Sequence, residues 1–170
     1  AQDLVRHFGV DAVRYYMLHE MPFAQDGTIT YEVFISRYNS DLANTLGNLV
    51  TRTVAMVNKY FDGILPAPAD EGEFVAVSAI DAVENKMNSL RVSDSLDEIW
   101  KVVNRANKYI DETTPWILAK SDETKPRLGT VLYNLIETIR IIASLLSSYM
   151  PETSQKILDE LGGGVSTYES

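Results

Sequence analysis

The segment YEVFISRYNSDLANTLGNLVTRTVAMVNKYF, residues 31–61, contains no proline, and its apolar side chains recur three or four positions apart. This spacing lines one face of an α-helix. The apolar stripe consists of Phe34, Tyr38, Leu42, Leu46, Leu49, Val50, Val54, Val57 and Phe61. The segment is therefore predicted to form one long amphipathic helix whose apolar face packs against other helices.

The chain beyond residue 61 continues the helical pattern. DGILPAPADEG, residues 62–72, combines prolines, glycines and acidic residues and is predicted to be a loop. Further helices are predicted over residues 74–92, 95–114, 125–149 and 151–161. Ser95 and Glu98 have the spacing of a capping box, which predicts a helix start at Ser95. Since no alternating strand pattern follows Tyr31, residues 31–161 are predicted to form an all-α helical bundle.

The two ends of the chain differ from this pattern. GVDAVRYYMLHE, residues 9–20, is predicted to be a short helix, and MPFAQDGTIT, residues 21–30, an extended or turn segment. We interpret residues 1–30 as the tail end of a connection from a preceding domain, a short segment outside the bundle. The glycines at 162–164 are predicted to end the last helix, so residues 162–170 are expected to form a flexible tail.

Composition limits the classes of function. The 170 residues are 45% hydrophobic and 23% charged, as in one globular domain, and with no cysteine and two histidines no metal site is expected. A net charge of −9 argues against nonspecific DNA binding, although single-stranded RNA loops can be recognised through a few bases. We find no signal peptide and no apolar run of the roughly 18–20 residues that span a bilayer. No membrane partner and a cytoplasmic location are therefore expected.

Polar residues occupy the side of the long helix opposite its apolar stripe. Asn44, Asn48 and Arg52 follow one another at intervals of four, with Lys59 on the same side. Asparagine is a mediocre helix former, so two asparagines on one exposed stripe favour a role in binding a partner. An ordinary solvated face is the alternative. The helix at 95–114 repeats the arrangement, with a basic strip formed by Lys101, Arg105 and Lys108. Its predicted inner stripe, on the opposite side, consists of Leu96, Ile99, Val103, Ala106 and Ile110.

Pro115 and Trp116 follow this second amphipathic helix. Proline disfavours helix in the residue before it, so the helix is predicted to end by Thr114, with Thr114 as a new N-cap and Pro115 in the first turn of a short helix. Most tryptophans are largely buried, which favours a core position for Trp116. An indole at a helix junction beside a basic strip could instead stack on an unpaired base.

The sequence at this point resembles a known family. Residues 8–61 together with NKYIDETTPWILAK, residues 107–120, closely resemble the C-terminal part of methionyl-tRNA synthetases, and the resemblance extends from about Asp3 to Leu161. GVDAVRYY is shared among several related class I synthetases. YNSDLANTLGNLVTR, residues 38–52, followed by TPWILAK, residues 114–120, is far more specific.

The resemblance implies an anticodon-binding domain that recognises the CAU anticodon of methionine tRNA. The family's anticodon-contacting positions correspond here to Asn48, Arg52, Pro115 and Trp116. The polar and basic residues beside them become candidate accessory RNA contacts: Asn44, Lys59, Lys101, Arg105 and Lys108. The implied partners are methionine tRNA and a catalytic domain in the same chain. ATP and methionine would serve the intact methionine-tRNA ligase, and no cofactor is expected in this segment.

No catalytic residue is predicted within the segment. HFGV, residues 7–10, is only superficially like the His-Ile-Gly-His motif of class I synthetases, and their Lys-Met-Ser-Lys-Ser loop is absent. We therefore expect no adenylation activity from this segment alone. Two alternatives stay open. One is the anticodon domain of a synthetase for valine, leucine, isoleucine or cysteine, disfavoured by Asn48, Arg52 and Trp116. The other is a helical protein-interaction module, disfavoured by the polar outer stripe.

Overall fold

A computed structural model describes residues 2–20, 30–65, 67 and 76–162, and within these ranges the regular elements are all helical. The α-helices are α1 (Gln2–Phe8), α2 (Val10–Glu20), α3 (Tyr31–Arg37), α4 (Asn48–Phe61), α5 (Val77–Asn88), α6 (Val92–Thr113), α7 (Pro115–Leu118), α8 (Lys125–Leu146) and α9 (Pro151–Glu160). A π-helical segment, Tyr38–Gly47, joins α3 to α4, and a 3-10 turn, Asp122–Thr124, precedes α8. The predicted all-α bundle is confirmed.

Helix α8 lies at the centre of the core and packs against α4, α6 and α9. Its side chains Leu132, Leu135, Ile139 and Ile142 have no exposed surface. Together with the turn before it, α8 is long and apolar enough to cross a bilayer by length and composition, which corrects the expectation that no such run exists. Neighbouring helices bury 61% of this apolar window, so its hydrophobicity is that of a core helix.

Helix α6 packs its predicted inner stripe into the same core. The stripe consists of the buried side chains Leu96, Ile99, Val103, Ala106 and Ile110. The predicted capping box is wrong, because α6 begins at Val92 and Ser95 lies inside its first turn. The Ser95 hydroxyl donates to the Val92 carbonyl and lies 2.7 Å from the Tyr149 hydroxyl. A buried bond from α6 to the turn between α8 and α9 therefore occupies the side chain that the sequence pattern assigns to a helix end.

The predicted long helix at 31–61 is continuous but not uniformly α-helical. Its ten middle residues, Tyr38–Gly47, form a π-helix, in which each turn takes in more residues than an α turn. The interval of four between Asn44 and Asn48 therefore runs from π-helical into α-helical geometry, and the alignment of these two exposed side chains on one stripe stays a prediction. The interval from Asn48 to Arg52 lies within α4 and keeps α-helical geometry.

Helix α2 packs onto the bundle, which corrects the interpretation of the N-terminal segment as lying outside it. Tyr15 is 1% exposed in the main core, where its ring stacks on Trp100 with 4.7 Å between centroids. Its hydroxyl donates to Asp41 over 2.8 Å, and burial together with this bond raises the pKa of Tyr15. Arg14 donates to the Ser148 and Tyr149 carbonyls. The aromatic pair in VRYY thus ties α2 to the bundle.

The remaining predicted boundaries shift by a few residues. Helix α5 is shorter than its predicted range of 74–92, and α8 ends at Leu146 before a turn. Most of MPFAQDGTIT, much of the predicted loop at 62–72 and the predicted tail from residue 163 onward lie outside the described residues. The division of the chain at residues 31 and 161 stays a prediction.

Candidate nucleic-acid interface

Asn48 and Arg52 occupy the first two turns of α4, on the side that faces away from the core. Both are exposed, while Leu49, Val50 and Thr53 between and beside them are buried. The predicted polar face of this helix therefore lies at the surface. Asn44 in the π-helical segment is exposed too. Two turns beyond Arg52, Lys59 is exposed, with its ammonium 5.3 Å from the centroid of the Tyr60 ring.

An ion pair links α4 to the last turn of α6. The guanidinium of Arg52 lies 3.6 Å from the carboxylate of Asp111, and the side chains are 44% and 68% exposed. An exposed pair of this kind contributes only ~0–1 kcal/mol to stability. The pair places the Arg52 guanidinium beside the last turn of α6. Sequence reasoning did not assign Asp111 a role, since only the fold brings it opposite Arg52.

The junction between α6 and α7 contains a backbone conformation that is unusual for its residue type. Thr114 has φ 43° and ψ 61°, in the left-handed region that β-branched residues rarely adopt. Pro115 occupies the first turn of α7 as predicted. Thr114 occupies the N-cap position of α7 as predicted, but its side chain makes no capping bond; its carbonyl accepts the Ile117 N–H at 2.8 Å. A left-handed residue therefore separates the two helices.

Pro115 and Trp116 point to opposite environments. Pro115 is buried, whereas Trp116 is 42% exposed and the next residue, Ile117, is 53% exposed. Trp116 therefore does not fill the core. Of the two positions that the sequence left open, a core position and an exposed position at the helix junction, only the exposed one fits this structure. Arg52 meets α6 within the turn that precedes this junction, so the arrangement gathers Arg52 and Trp116 at one end of α6.

The predicted basic strip on α6 is exposed, but acidic neighbours balance its charge. Lys101 lies 2.8 Å from Glu98, and this hydrogen bond raises the pKa of the lysine. Arg105 and Lys108 lie 3.0 Å and 3.6 Å from Glu112. These pairs span three, four or seven positions of the same helix, so a helical wheel that includes the acidic residues could have found them. Contact of the strip with RNA stays a prediction.

Hydrogen bonding and stacking are what this surface offers chemically. Asparagine presents both a donor and an acceptor, arginine a planar fork of donors, and an exposed indole a stacking face. Among residues 2–20, 30–65, 67 and 76–162, no cluster of three histidine or carboxylate side chains could hold a metal ion.

Comparison with known proteins identifies similar sequences along nearly the whole chain. Residues 72–169 match the family described as the anticodon binding domain of methionyl tRNA ligase, and residues 1–54 match the family described as tRNA synthetases class I (M). The methionine–tRNA ligase of Clostridium tetani is 56% identical over 98% of this chain. That of Caldanaerobacter subterraneus subsp. tengcongensis is 51% identical over 99% of it.

A solved structure has the same fold. Mycobacterium tuberculosis methionyl-tRNA synthetase in complex with methionyl-adenylate superposes with a TM-score of 0.88 and 39% identity over 95% of this chain. The chain is much shorter than its relatives: it spans 27% of the Clostridium tetani protein and 33% of the Mycobacterium tuberculosis structure.

Proposed function

This chain belongs to the methionyl-tRNA synthetase family, and we propose that its surface around Asn48, Arg52 and Trp116 binds the CAU anticodon of methionine tRNA. The observation that carries the proposal is the position of these three side chains. All three are exposed, and the Arg52 to Asp111 pair brings α4 to the α6–α7 junction where Trp116 lies.

The chemistry of the three side chains is complementary to unpaired bases. The Asn48 amide can pair a donor and an acceptor with one base edge, and the Arg52 guanidinium can supply two parallel donors. Trp116 can stack on a base of any identity. Sequence discrimination is therefore assigned to Asn48 and Arg52, and general affinity for an opened loop to Trp116. Pro115 is buried at the start of α7, where it is proposed to fix the turn that presents Trp116.

The charge distribution supports selective binding. The net charge is −9, and the cations of the basic strip on α6 that could contact phosphates are paired with Glu98 and Glu112. Nonspecific affinity for nucleic acid arises mostly from such phosphate contacts. Binding is therefore expected to depend on the bases. Asn44, Lys59, Lys101, Arg105 and Lys108 are proposed as accessory contacts to the flanking RNA.

The intact protein is proposed to be a methionine-tRNA ligase located in the cytoplasm. In it, a catalytic domain in the same chain would use ATP and methionine, and anticodon binding by the present segment would position the tRNA for aminoacylation. The segment itself is proposed to contribute no catalytic residue. Purified alone it should show no methionine-dependent pyrophosphate exchange, and measurable exchange would contradict this assignment.

The decisive test of the proposal is base selectivity. A stem-loop with the anticodon CAU and a second with the same stem and the loop sequence UAC are titrated against the protein at the same salt concentration. The CAU loop should bind at least about tenfold more tightly, which corresponds to ~1.4 kcal/mol. Equal affinity for the two loops would contradict anticodon recognition. Repeating the titration at higher salt separates base contacts from phosphate contacts, since only the latter weaken steeply.

A further inference from the structure

Asn107 connects the C-terminal half of α6 to the π-helical segment. Its amide nitrogen donates to the Thr45 carbonyl over 3.1 Å and to the Val103 carbonyl of its own helix over 3.2 Å. Both partners are carbonyl oxygens, which only accept hydrogen bonds. The side-chain nitrogen of Asn107, and not its oxygen, must therefore face them. The bond to the Thr45 carbonyl thus connects two residues that lie 62 positions apart in sequence.

The bond lies at the boundary where the π-helix changes to α-helix. Asn48 is the first residue of α4, and its N–H is directed at the carbonyls of both Ala43 and Thr45. Inside the π segment, the Thr45 hydroxyl donates to the Ser40 carbonyl five positions earlier over 2.7 Å. π-helices are rare and seldom extend beyond a single turn, so a segment of ten residues needs local support.

Gly47 also favours this boundary, because it has no side chain to crowd the preceding turn. A Cβ atom at this position would lie 3.1 Å from the Leu42 carbonyl oxygen, closer than ordinary van der Waals contact. Any other residue would therefore push this backbone oxygen away. Gly47 directly precedes Asn48, so a displaced backbone here would redirect the Asn48 side chain.

We propose that Asn107 is a positioning residue for anticodon recognition: it fixes the π-to-α boundary and thereby the direction in which Asn48 presents its amide. This inference rests on the proposed function, since Asn48 must contact RNA for its direction to matter. Asn107 itself needs no contact with the RNA. Removal of its donor should leave the Thr45 carbonyl without this bond and let the first turn of α4 shift.

The test replaces Asn107 by leucine, which has similar volume and no donor, in the intact protein. Outright loss of a base contact lowers affinity roughly 5- to 150-fold, and a misdirected contact should lose about 5- to 10-fold for the CAU stem-loop. Asn85→Leu on the exposed face of α5 is the control and should leave affinity unchanged. The specific readout is the double variant: with Asn48→Ala already present, Asn107→Leu should lower CAU affinity no further.

Gly47→Ala alters the same π-to-α boundary from within its own helix. It replaces Asn107→Leu as the test if that variant fails to fold. It should also lower CAU affinity, and again only while Asn48 is present. Independent, additive losses from Asn107→Leu and Asn48→Ala, or unchanged affinity in Gly47→Ala, would overturn the inference. If Asn48→Ala weakens binding while Asn107→Leu does not, the positioning role fails alone. If Asn48→Ala itself leaves affinity unchanged, the proposed recognition by Asn48 fails and the positioning role fails with it.

Discussion

Trp100 and Trp116 lie close together in sequence and occupy opposite environments. Trp100 is within α6, 8% exposed, with its ring stacked on Tyr15 in the main core. Trp116 lies just beyond α6, 42% exposed on the first turn of α7. Helical register turns the first indole inward. A left-handed residue and a proline separate the second from that register.

The contrast separates what holds the bundle together from what recognises a partner. The region around Trp100 is closed: α2, α6 and the π segment meet there, and Tyr15 contacts both Trp100 and Asp41. The region around Trp116 is open, with exposed Ile117 beside it and the exposed Arg52 to Asp111 pair in the preceding turn of α6. Substitutions in the first region should alter stability, and substitutions in the second should alter RNA affinity.

Trp100→Ala should have the largest effect. Truncation of a buried tryptophan typically costs ~3–5 kcal/mol of stability, because packing is lost and a cavity remains. The free energy of unfolding from urea titration measures this loss. Trp116→Ala is the matched control and should change stability by only about 0.5 kcal/mol, as expected for a surface site. Equal losses in the two variants would remove the contrast between the regions.

Asn48→Ala and Arg52→Ala should alter recognition and leave the bundle intact. Each should reduce the affinity for the CAU stem-loop by ~1–3 kcal/mol, on the scale known for base-edge contacts in DNA complexes. Both side chains are exposed, and the ion pair of Arg52 contributes little to stability. Thermal melting and stem-loop titration of each variant provide the test. A sharp fall in melting temperature with retained CAU preference would show that these residues are structural.

Thr114→Gly should stabilise the chain modestly. A left-handed conformation costs a non-glycine residue ~1–2 kcal/mol. Glycine avoids this cost, but its greater conformational freedom in the unfolded state offsets part of the gain. We expect a gain of up to about 1 kcal/mol. Thr113→Gly, at the last residue of α6, should instead lose about 0.5 kcal/mol, because glycine is a poorer helix former than threonine and the hydroxyl bond to the Tyr109 carbonyl is lost. If Thr114→Gly lowers the melting temperature as Thr113→Gly does, the left-handed junction is not held in solution.

Lys101→Ala should have the smallest effect on both properties. Its ammonium is already paired with Glu98 at 2.8 Å, so little of its charge is available to a phosphate. We expect a change within about 0.5 kcal/mol in stability and a fall in CAU affinity of less than about threefold. A loss as large as that of Arg52→Ala would show that the basic strip is a principal contact surface.

Helical periodicity predicts those parts of the fold in which burial follows from local pattern. The inner stripe of α6 and the apolar core helix α8 are of this kind. The π segment could not be found this way: its Thr45 carbonyl accepts a hydrogen bond from Asn107 of another helix, and such a contact exists only in the folded chain. Ser95 has capping-box spacing, yet its hydroxyl faces Tyr149. Such tertiary contacts override a local signal.

The candidate site was predictable to a similar degree. The proline predicts the junction at Thr114, and the resemblance to a family supplies Asn48, Arg52 and Trp116. Neither could supply the ion pair with Asp111 or the acidic partners of the basic strip, since a contact between α4 and α6 exists only in the folded chain. The exposure of Trp116 likewise depends on how α7 packs.

The most direct test of the account is a titration of the CAU stem-loop against the fluorescence of one indole at a time. In Trp100→Phe the signal comes from Trp116 and should change saturably with RNA; in Trp116→Phe it comes from Trp100 and should change little. Trp116→Phe should retain part of the affinity, and Trp116→Ala should lose ~1–3 kcal/mol of it, as expected when a stacked base loses its aromatic partner. Fluorescence of Trp116 that is indifferent to saturating RNA, with wild-type affinity in Trp116→Ala, would contradict the claim that this surface binds the anticodon.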